Sequence, residues 1–393
     1  MAECFWQNLV LTEEDCENPE PTGFVYVSQE AVNSSTFGSA IAVSGEYVAA
    51  GDRYASAAGK TKKGTLTLYE NVGGILTERD SFTSSVVENF MELGCSVDMD
   101  GTHIVVGEIG ASGQPGAAYV LTYAGGTLTQ TQALAPSDST TGDDFGALVA
   151  ISGDYIAVRG SNVSNQPKVY IFHLSGGTWT EEDTITLPSM GWMTVLTMDN
   201  DTLVFADPLA NEGGGSSSGA VYVYTRSGAS WSLQATLVSS DTEPDLGVGY
   251  TAVLRGDYIL ASAANNATYV FERDGTWSEI AILAPPAGTL YPGVAAATFD
   301  LEYILIAGIE DYDTEYNDLV EQQKLFVFQQ GLPGEWEFVQ TLTPSLEEVG
   351  ITFSTQVYRP ASVALEDGYL FAGSSLSDDD GMDRFISVYS YPV

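Results

Sequence analysis

The strongest constraint on the fold is a motif that recurs along the whole chain. In "FGALVAISGDYIAVRG" (Phe145 to Gly160), two alternating apolar stretches flank Gly153-Asp154, a pattern typical of a β-hairpin. Close copies are "VSGEYVAAG", "LRGDYILAS" and "LEDGYLFAG"; looser ones are "MDGTHIVVG", "MDNDTLVFA" and "FDLEYILIAG". One position marks all seven copies: Tyr47, His103, Tyr155, Thr202, Tyr258, Tyr303 and Tyr369. Most intervals are 45 to 56 residues, a period typical of β-propeller blades.

Each copy continues with two more predicted strands. A "VYVY"-type strand follows a variable loop, and a short Gly-containing turn leads to a fourth strand. Tryptophan marks this fourth strand in four copies, at Trp179, Trp231, Trp277 and Trp336. Seven copies of four strands predict an all-β fold, a seven-bladed β-propeller of four-stranded antiparallel blades.

The seventh copy ends at "ISVYSYPV" without a fourth strand, which would leave sheet edges exposed and the ring open. "YVSQEAV", Tyr26 to Val32, has the spacing of "WSLQATL", Trp231 to Leu237, so we expect this N-terminal segment to close the last blade as its outer strand. Residues 1–22 are then an extension, and residues 23–393 form the propeller. The predicted blades are 37–89, 90–140, 141–189, 190–242, 243–287, 288–345, and 346–393 together with 23–35.

The charge of the chain limits its partners. Its 53 acidic and 13 basic residues give a formal net charge of −40 at pH 7, which repels phosphate backbones, so we expect no nucleic-acid binding. No stretch approaches the roughly 20 apolar residues of a membrane span, and the first residues lack the pattern of a secretory signal.

The repeats resemble the FG-GAP family, the seven-bladed propeller that also forms the head of integrin alpha chains. The matching stretches are "TFGSAIAVSGEYVAAG", "DDFGALVAISGDYIAV" and "LGVGYTAVLRGDYILAS". They are most similar to bacterial and protist versions, which implies an extracellular or particle-surface location. Integrin-like members carry long calcium loops between the first two strands, but the turns here have two residues and cannot supply six to eight oxygens. We therefore interpret Asp98, Asp100, Asp199 and Asp201 as turn residues.

Two faces of the predicted disc differ in their connections. One face, which we call the tight-turn face, carries the short turns. The other, the long-loop face, carries long acidic loops, which connect strand two to strand three within a blade or connect one blade to the next. Because binding residues concentrate on loops held by a rigid scaffold, we place a protein or glycan partner on the long-loop face. The only basic cluster, Lys60, Lys62 and Lys63, lies there and is predicted either to pair with neighbouring acids or to contact an anionic partner.

Two acidic loops on the long-loop face are candidates for calcium. "DYDTEYNDLVE" has the alternate spacing of oxygen ligands, although its Gly and final Glu are out of place, and "DDDGMD" groups four aspartates around one Gly. Each is predicted to be either a calcium site or a solvated acidic loop. The candidate ligands are Asp311, Asp313, Glu315 and Asn317 in the first loop, and Asp378, Asp380 and Asp383 in the second.

Three cysteines give little information on redox compartment. Cys4 and Cys16 are near enough in sequence to close a small disulfide loop, and Cys95 is expected to be a small buried residue.

No catalytic residue is predicted. His103 occupies the aromatic marker position and is interpreted as a replacement for Tyr, and His173 follows a third strand and is expected to be exposed rather than catalytic. No Cys or Ser lies in a nucleophile-elbow context. The favoured interpretation is a non-catalytic adhesion or protein-interaction module. One alternative is a structural component of a virus particle or extracellular filament, anchored in a larger assembly through residues 1–22. Another is a glycan-binding or acid-pair polysaccharide-cleaving protein.

Overall fold

The computed structural model describes twenty segments of the chain, which contain strands, turns and bends but no helix. These segments therefore include no helix that could cross a lipid bilayer. They are residues 5–6, 9–10, 25–32, 36–57, 59–86, 88–110, 116–138, 144–161, 167–187, 194–212, 214–241, 244–264, 267–284, 296–299, 303–313, 319–331, 335–342, 359–366, 368–375 and 384–390.

Seven four-stranded antiparallel sheets confirm the predicted propeller. The innermost strands are β4 (Ala40–Ser44), β8 (Leu93–Asp100), β12 (Val149–Ser152), β16 (Val195–Asp199), β20 (Ala252–Arg255), β24 (Ala296–Phe299) and β28 (Arg359–Glu366). Each contacts the next, and β28 contacts β4, so the ring is closed. The second strands are β5 (Tyr47–Asp52), β9 (His103–Glu108), β13 (Tyr155–Ser161), β17 (Thr202–Asp207), β21 (Tyr258–Ser262), β25 (Tyr303–Asp313) and β29 (Tyr369–Ser375). Every marker position of the repeat begins one of these second strands.

The outer half of each blade follows the same order. The third strands are β6 (Thr65–Val72), β10 (Ala117–Ala124), β14 (Pro167–Ser175), β18 (Ala220–Ser227), β22 (Thr268–Asp274), β26 (Leu319–Gln330) and β30 (Arg384–Ser390). The fourth strands are β7 (Ile75–Phe82), β11 (Thr127–Leu134), β15 (Thr178–Thr186), β19 (Ser230–Leu237), β23 (Thr276–Leu283), β27 (Trp336–Leu342) and β3 (Val25–Val32). Two further strands, β1 (Phe5–Trp6) and β2 (Leu9–Val10), pair with each other within the N-terminal 22 residues.

The hydrophobic core lies between the blades. Ile104–Glu108 of β9 are buried without alternation, because neighbouring sheets cover both faces of a middle strand. Between blades 2 and 3, Phe145 is fully buried and its ring meets that of Tyr170 at 5.6 Å, edge to face. The apolar runs of the repeat are therefore the packing surfaces between neighbouring sheets.

Blades approach most closely at paired glycines. A Cβ atom on Gly51 would lie 2.2 Å from the carbonyl oxygen of Gly94, and one on Gly107 would lie 1.8 Å from that of Gly146. Gly146 follows Phe145 in the repeat motif. The motif therefore requires glycine where one backbone crosses the strand of the preceding blade.

Every fourth strand carries a β-bulge at the same point. In each blade, the bulge interrupts the pairing of the fourth strand with two consecutive residues of the third strand. These two third-strand residues are the ones that pair, on their other side, with the second and third residues of the second strand. Because β3 carries this bulge too, it is the fourth strand of the seventh repeat, and the predicted closure of the last blade is confirmed.

The alignment of this closing strand is nevertheless shifted by two residues from the predicted one. Tyr26 pairs with Tyr389, which lies at the position of Tyr224, and Tyr224 pairs with Leu233. Tyr26 therefore corresponds to Leu233 and not to Trp231. A shift of two keeps each residue on the same face of the strand, so spacing alone could not distinguish the two alignments.

Candidate functional site on the long-loop face

Two long loops are pinned to the following blade by backbone hydrogen bonds. In blade 1, the carbonyl oxygens of Thr61 and Lys63 each accept a bond of 3.0 Å, from the N–H groups of Phe90 and Leu93 respectively. In blade 4, Ser216 and Ser218 accept the equivalent bonds, of 2.8 and 3.0 Å, from Asp245 and Val248. The regular backbone hydrogen bonding of the blades thus extends into these two loops on the long-loop face, although irregular loops were predicted there.

The pinned loops and the segments bonded to them place five non-glycine residues in the left-handed backbone region, among them Glu92 with a φ of 55°. Lys62 has a φ of 49° and Phe90 of 61°, while Ser217 and Asp245 have 50° and 59° at the equivalent positions. Left-handed backbone is unfavourable for a bulky side chain such as Phe. Because the conformation recurs in two blades, the repeat imposes it; only the side chains differ between the two sites.

At blade 1 these side chains form a basic–aromatic patch of Arg53, Tyr54, Lys60, Lys62 and Phe90. The Lys62 ammonium lies 4.1 Å from the centroid of the Tyr54 ring, and the Arg53 guanidinium lies 4.6 Å from it. Phe90 is 52% exposed, and the other four residues are half-buried. Sequence reasoning found the lysines but missed Arg53, Tyr54 and Phe90, because cation–ring contacts depend on how the loop folds.

The patch differs from the surroundings of most other described cations, although Arg159 and Lys63 likewise have no carboxylate within 4.0 Å among the described residues. Five basic side chains in other parts of the chain lie within 4.0 Å of a carboxylate: Arg79 with Glu70, Lys168 with Asp138, Arg226 with Asp201, Arg255 with Glu366, and Arg273 with Asp257. Arg53, Lys60 and Lys62 form no ion pair with the residues that the structure describes.

Lys63, predicted to belong to the same exposed cluster, is buried, with 1% of its surface exposed. Its ammonium donates to the Ser84 hydroxyl at 3.1 Å and to the Val86 carbonyl. Ser84 in turn donates to Glu108 at 2.5 Å, and Tyr119 donates to the other oxygen of Glu108 at 2.6 Å. The assignment of Lys63 to a partner-binding surface is therefore wrong, because the pinned loop turns it inward towards this polar network.

Burial governs the titration of this network. Desolvation raises the pKa of Glu108, opposed by its hydrogen bonds from Ser84 and Tyr119 and by the charge of Lys63. Desolvation lowers the pKa of Lys63, although the charge of Glu108 opposes that shift. The two groups thus stabilise each other in their charged forms between blades 1 and 2.

The predicted calcium ligands fall mainly outside the described residues. Glu315, Asn317, Asp378, Asp380 and Asp383 lie there. Asp311 and Asp313 belong to β25, where they pair with Glu321 and Leu319 of β26. This stretch, predicted as a loop, is a hairpin extension of blade 6. Within the described part of the chain, no group of three or more His, Cys, Asp or Glu residues could hold a metal ion.

The two histidines and Cys95 lie in the described part of the chain, and both histidine rings contact aromatic neighbours. The His173 ring stacks on Tyr155 at 4.6 Å, and its Nδ1 lies 2.8 Å from Glu182. His103 meets Trp179 edge to face at 6.2 Å. Cys95, expected to be buried, is a half-buried free thiol, and desolvation raises its pKa to about 12. Cys4 and Cys16 lie outside the described residues, so their disulfide stays a prediction.

On the tight-turn face, the turn acids connect blades. Asp100 accepts a hydrogen bond of 2.6 Å from Gly153 N–H of blade 3, and Asp199 accepts one of 2.6 Å from Gly256 N–H of blade 5. Asp98 accepts one of 2.8 Å from Ile151 N–H, and burial raises its pKa to about 7. These carboxylates hold neighbouring innermost strands together.

A cleft of about 260 Å³ also opens on the tight-turn face, between blades 4 and 5. Its charged groups already have partners: Asp201 pairs with Arg226, and Arg273 lies 2.7 Å from Asp257. The Asp199 carboxylate accepts the hydrogen bond from Gly256 N–H of blade 5. The cleft therefore offers a ligand no unpaired charge among the described side chains.

The resemblance to known proteins lies in the repeat itself. Residues 128–172 match the FG-GAP repeat family. This protein is a seven-bladed β-propeller, and one of its segments is similar to the FG-GAP repeat. In this propeller, the matched segment runs from β11 to β14 and contains Phe145 and Gly146, which pack against blade 2.

Solved structures similar to this chain show the same fold. A candidate 6-phosphogluconolactonase from Bacteroides fragilis has a TM-score of 0.53 and 12% identity, over 78% of this chain and 84% of that one. One from Bacteroides uniformis has a TM-score of 0.53 and 14% identity, over 78% and 85%. No curated protein sequence matches the chain. Identities this low carry no information on activity.

Proposed function

We propose that this propeller is a non-catalytic adhesion or protein-interaction module, displayed outside the cell or on a particle surface, that binds its partner through the long-loop face. The observation that supports this most is the pinning of the blade 1 and blade 4 loops. A surface that is ordered before binding loses little conformational entropy when a partner docks.

Two hydrogen-bonded acids, the buried Glu108 and the half-buried Asp98, favour binding over catalysis. Glu108 has no exposed surface and accepts hydrogen bonds from Ser84 and Tyr119, so it has no access to a substrate. Asp98 lies between innermost strands and accepts bonds from backbone N–H groups. Both carboxylates therefore stabilise the scaffold. Neither supports the alternative of an acid-pair mechanism that cleaves polysaccharides.

Site-specific cross-linking tests the proposal. A photoreactive residue at Glu212, exposed on a long loop of blade 4, should cross-link to a partner protein in the source organism. The same residue at Asp154, exposed in a tight turn of blade 3, is the matched control and should not. Cross-links from Asp154 alone would place the partner on the wrong face and refute the proposal.

Catalysis is tested separately. The purified chain should not accelerate hydrolysis of 6-phosphogluconolactone, the substrate class in the names of the two Bacteroides proteins. Turnover above the buffer rate would contradict a non-catalytic role.

A structural role in a virus particle or filament is a second proposal. The pairing of β1 with β2 within residues 1–22 favours it, because this small sheet is separate from the blades. A chain that lacks residues 1–22 should then keep its thermal stability but fail to enter the native assembly. Normal assembly of the truncated chain would exclude this role.

A further inference from the structure

We infer that the basic–aromatic patch binds an acidic polypeptide segment of the partner protein, with an apolar side chain of that segment seated against Phe90. The inference rests on the proposed function and specifies the chemistry of the partner at one position of the long-loop face.

The charges of the patch indicate an anionic ligand. The chain has a net charge of −40, yet Arg53, Lys60 and Lys62 form no ion pair with a described residue. Arg53 and Lys62 lie 4.6 and 4.1 Å from the centroid of one Tyr54 ring, so their charges are at most about 8.7 Å apart and repel each other. A carboxylate placed beside them would relieve that repulsion, and the ring already holds the cations in position.

Phe90 indicates a polypeptide rather than a sulfated glycan or a free phosphate. Its side chain is 52% exposed, and its backbone N–H is bonded to the loop residue next to Lys62, which places an apolar surface beside the cations. Tyr and Arg are enriched at the energetically dominant positions of protein–protein interfaces, and Phe is enriched in such interfaces relative to the rest of the surface. A sulfated glycan needs the cations but gains little from an exposed phenyl ring.

The backbone of the patch is preorganised. Lys62 and Phe90 both have left-handed φ angles, and neighbouring hydrogen bonds fix them on both sides. Blade 4 has the same backbone with Ser217 and Asp245 in these places, and so supplies a natural control: the same geometry without the chemistry.

The test uses fluorescence anisotropy with the full chain and a labelled peptide of alternating Asp, Glu and Leu. The wild type should bind it with an affinity that falls as salt is added. Arg53→Gln with Lys62→Gln, and separately Phe90→Asn, should each weaken binding by about tenfold. Ser217→Gln, the matched change in blade 4, should leave binding unchanged. Thermal melts establish that every variant is folded; Asn tolerates left-handed backbone well.

A heparin fragment is the competing probe. If heparin binds and Phe90→Asn has no effect on either probe, the patch recognises sulfated glycans and the inference is overturned. Absence of peptide binding to the wild type, or equal loss in Ser217→Gln, overturns it too. If these tests fail while Glu212 still cross-links to a partner, the proposed function stands and only the assignment of this patch is wrong.

Discussion

The carbonyl oxygen of Gly146 lies 1.8 Å from the position that a Cβ atom on Gly107 would occupy. Gly107 does not have a left-handed φ, so space alone requires glycine there. The atom that blocks the side chain belongs to the backbone of the next blade and cannot rotate away. Blades 2 and 3 can therefore pack this closely only because residue 107 carries a hydrogen atom in place of a side chain.

Gly107→Ala should lower the free energy of unfolding by about 1–3 kcal/mol or more, because blades 2 and 3 must separate to admit the methyl group. Urea unfolding followed by tryptophan fluorescence measures this. Gly331→Ala is the control, since a Cβ there would have its nearest neighbour at 4.0 Å. Equal stability of the two variants would mean that the blades can yield at this contact.

Lys63→Met should destabilise the chain at neutral pH by at least about 2 kcal/mol, because it leaves the buried Glu108 carboxylate without its cation. The deficit should shrink as the pH falls, since burial raises the pKa of Glu108 and a protonated Glu108 needs no counter-charge. Denaturant unfolding at several pH values tests this. Lys60→Met changes a half-buried lysine of the same loop and should have little effect; a comparable loss there would refute the role of the network.

The sequence predicted the parts of the fold that depend on local patterns. The marker positions begin the second strands because alternating apolar residues around a tight turn, which contains Gly in five of the seven copies, define a hairpin over about ten residues. The outer strand of the last blade was predictable because an open ring is physically unfavourable.

Other features depend on contacts between distant segments. Lys63 and Lys62 are neighbours, but only pairing with residues 90–93 turns Lys63 inward. The acid-rich end of β25 has low β-propensity, and its pairing with β26 overrides that propensity. Neither effect leaves a trace in composition or spacing.

Asp98 should make stability depend on pH. Its native pKa of about 7 exceeds its ordinary value of 3.8, so the native state keeps a proton that the unfolded state releases between these values. This contribution is present below about pH 4 and is lost as the pH rises to about 7. The advantage of the wild type over Asp98→Asn should therefore be larger at pH 5 than at pH 8. Ser96→Ala removes a neighbouring inter-blade acceptor without a titrating group and should show no such difference. Parallel curves for all three proteins would exclude the shift.

Engineered disulfides test the alignment of the closing strand. Gln29 pairs with Ser387 in the structure, whereas alignment of Tyr26 with Trp231 would place Ala31 opposite Ser387. With Cys4 and Cys16 changed to Ser, Gln29→Cys with Ser387→Cys should oxidise readily and raise the melting temperature, because paired strand positions suit disulfide geometry. Ala31→Cys with Ser387→Cys should oxidise slowly or not at all. The two rates are compared by non-reducing mass spectrometry of peptides, and preferential oxidation of the Ala31 pair would show that the strand is aligned as the sequence spacing predicts.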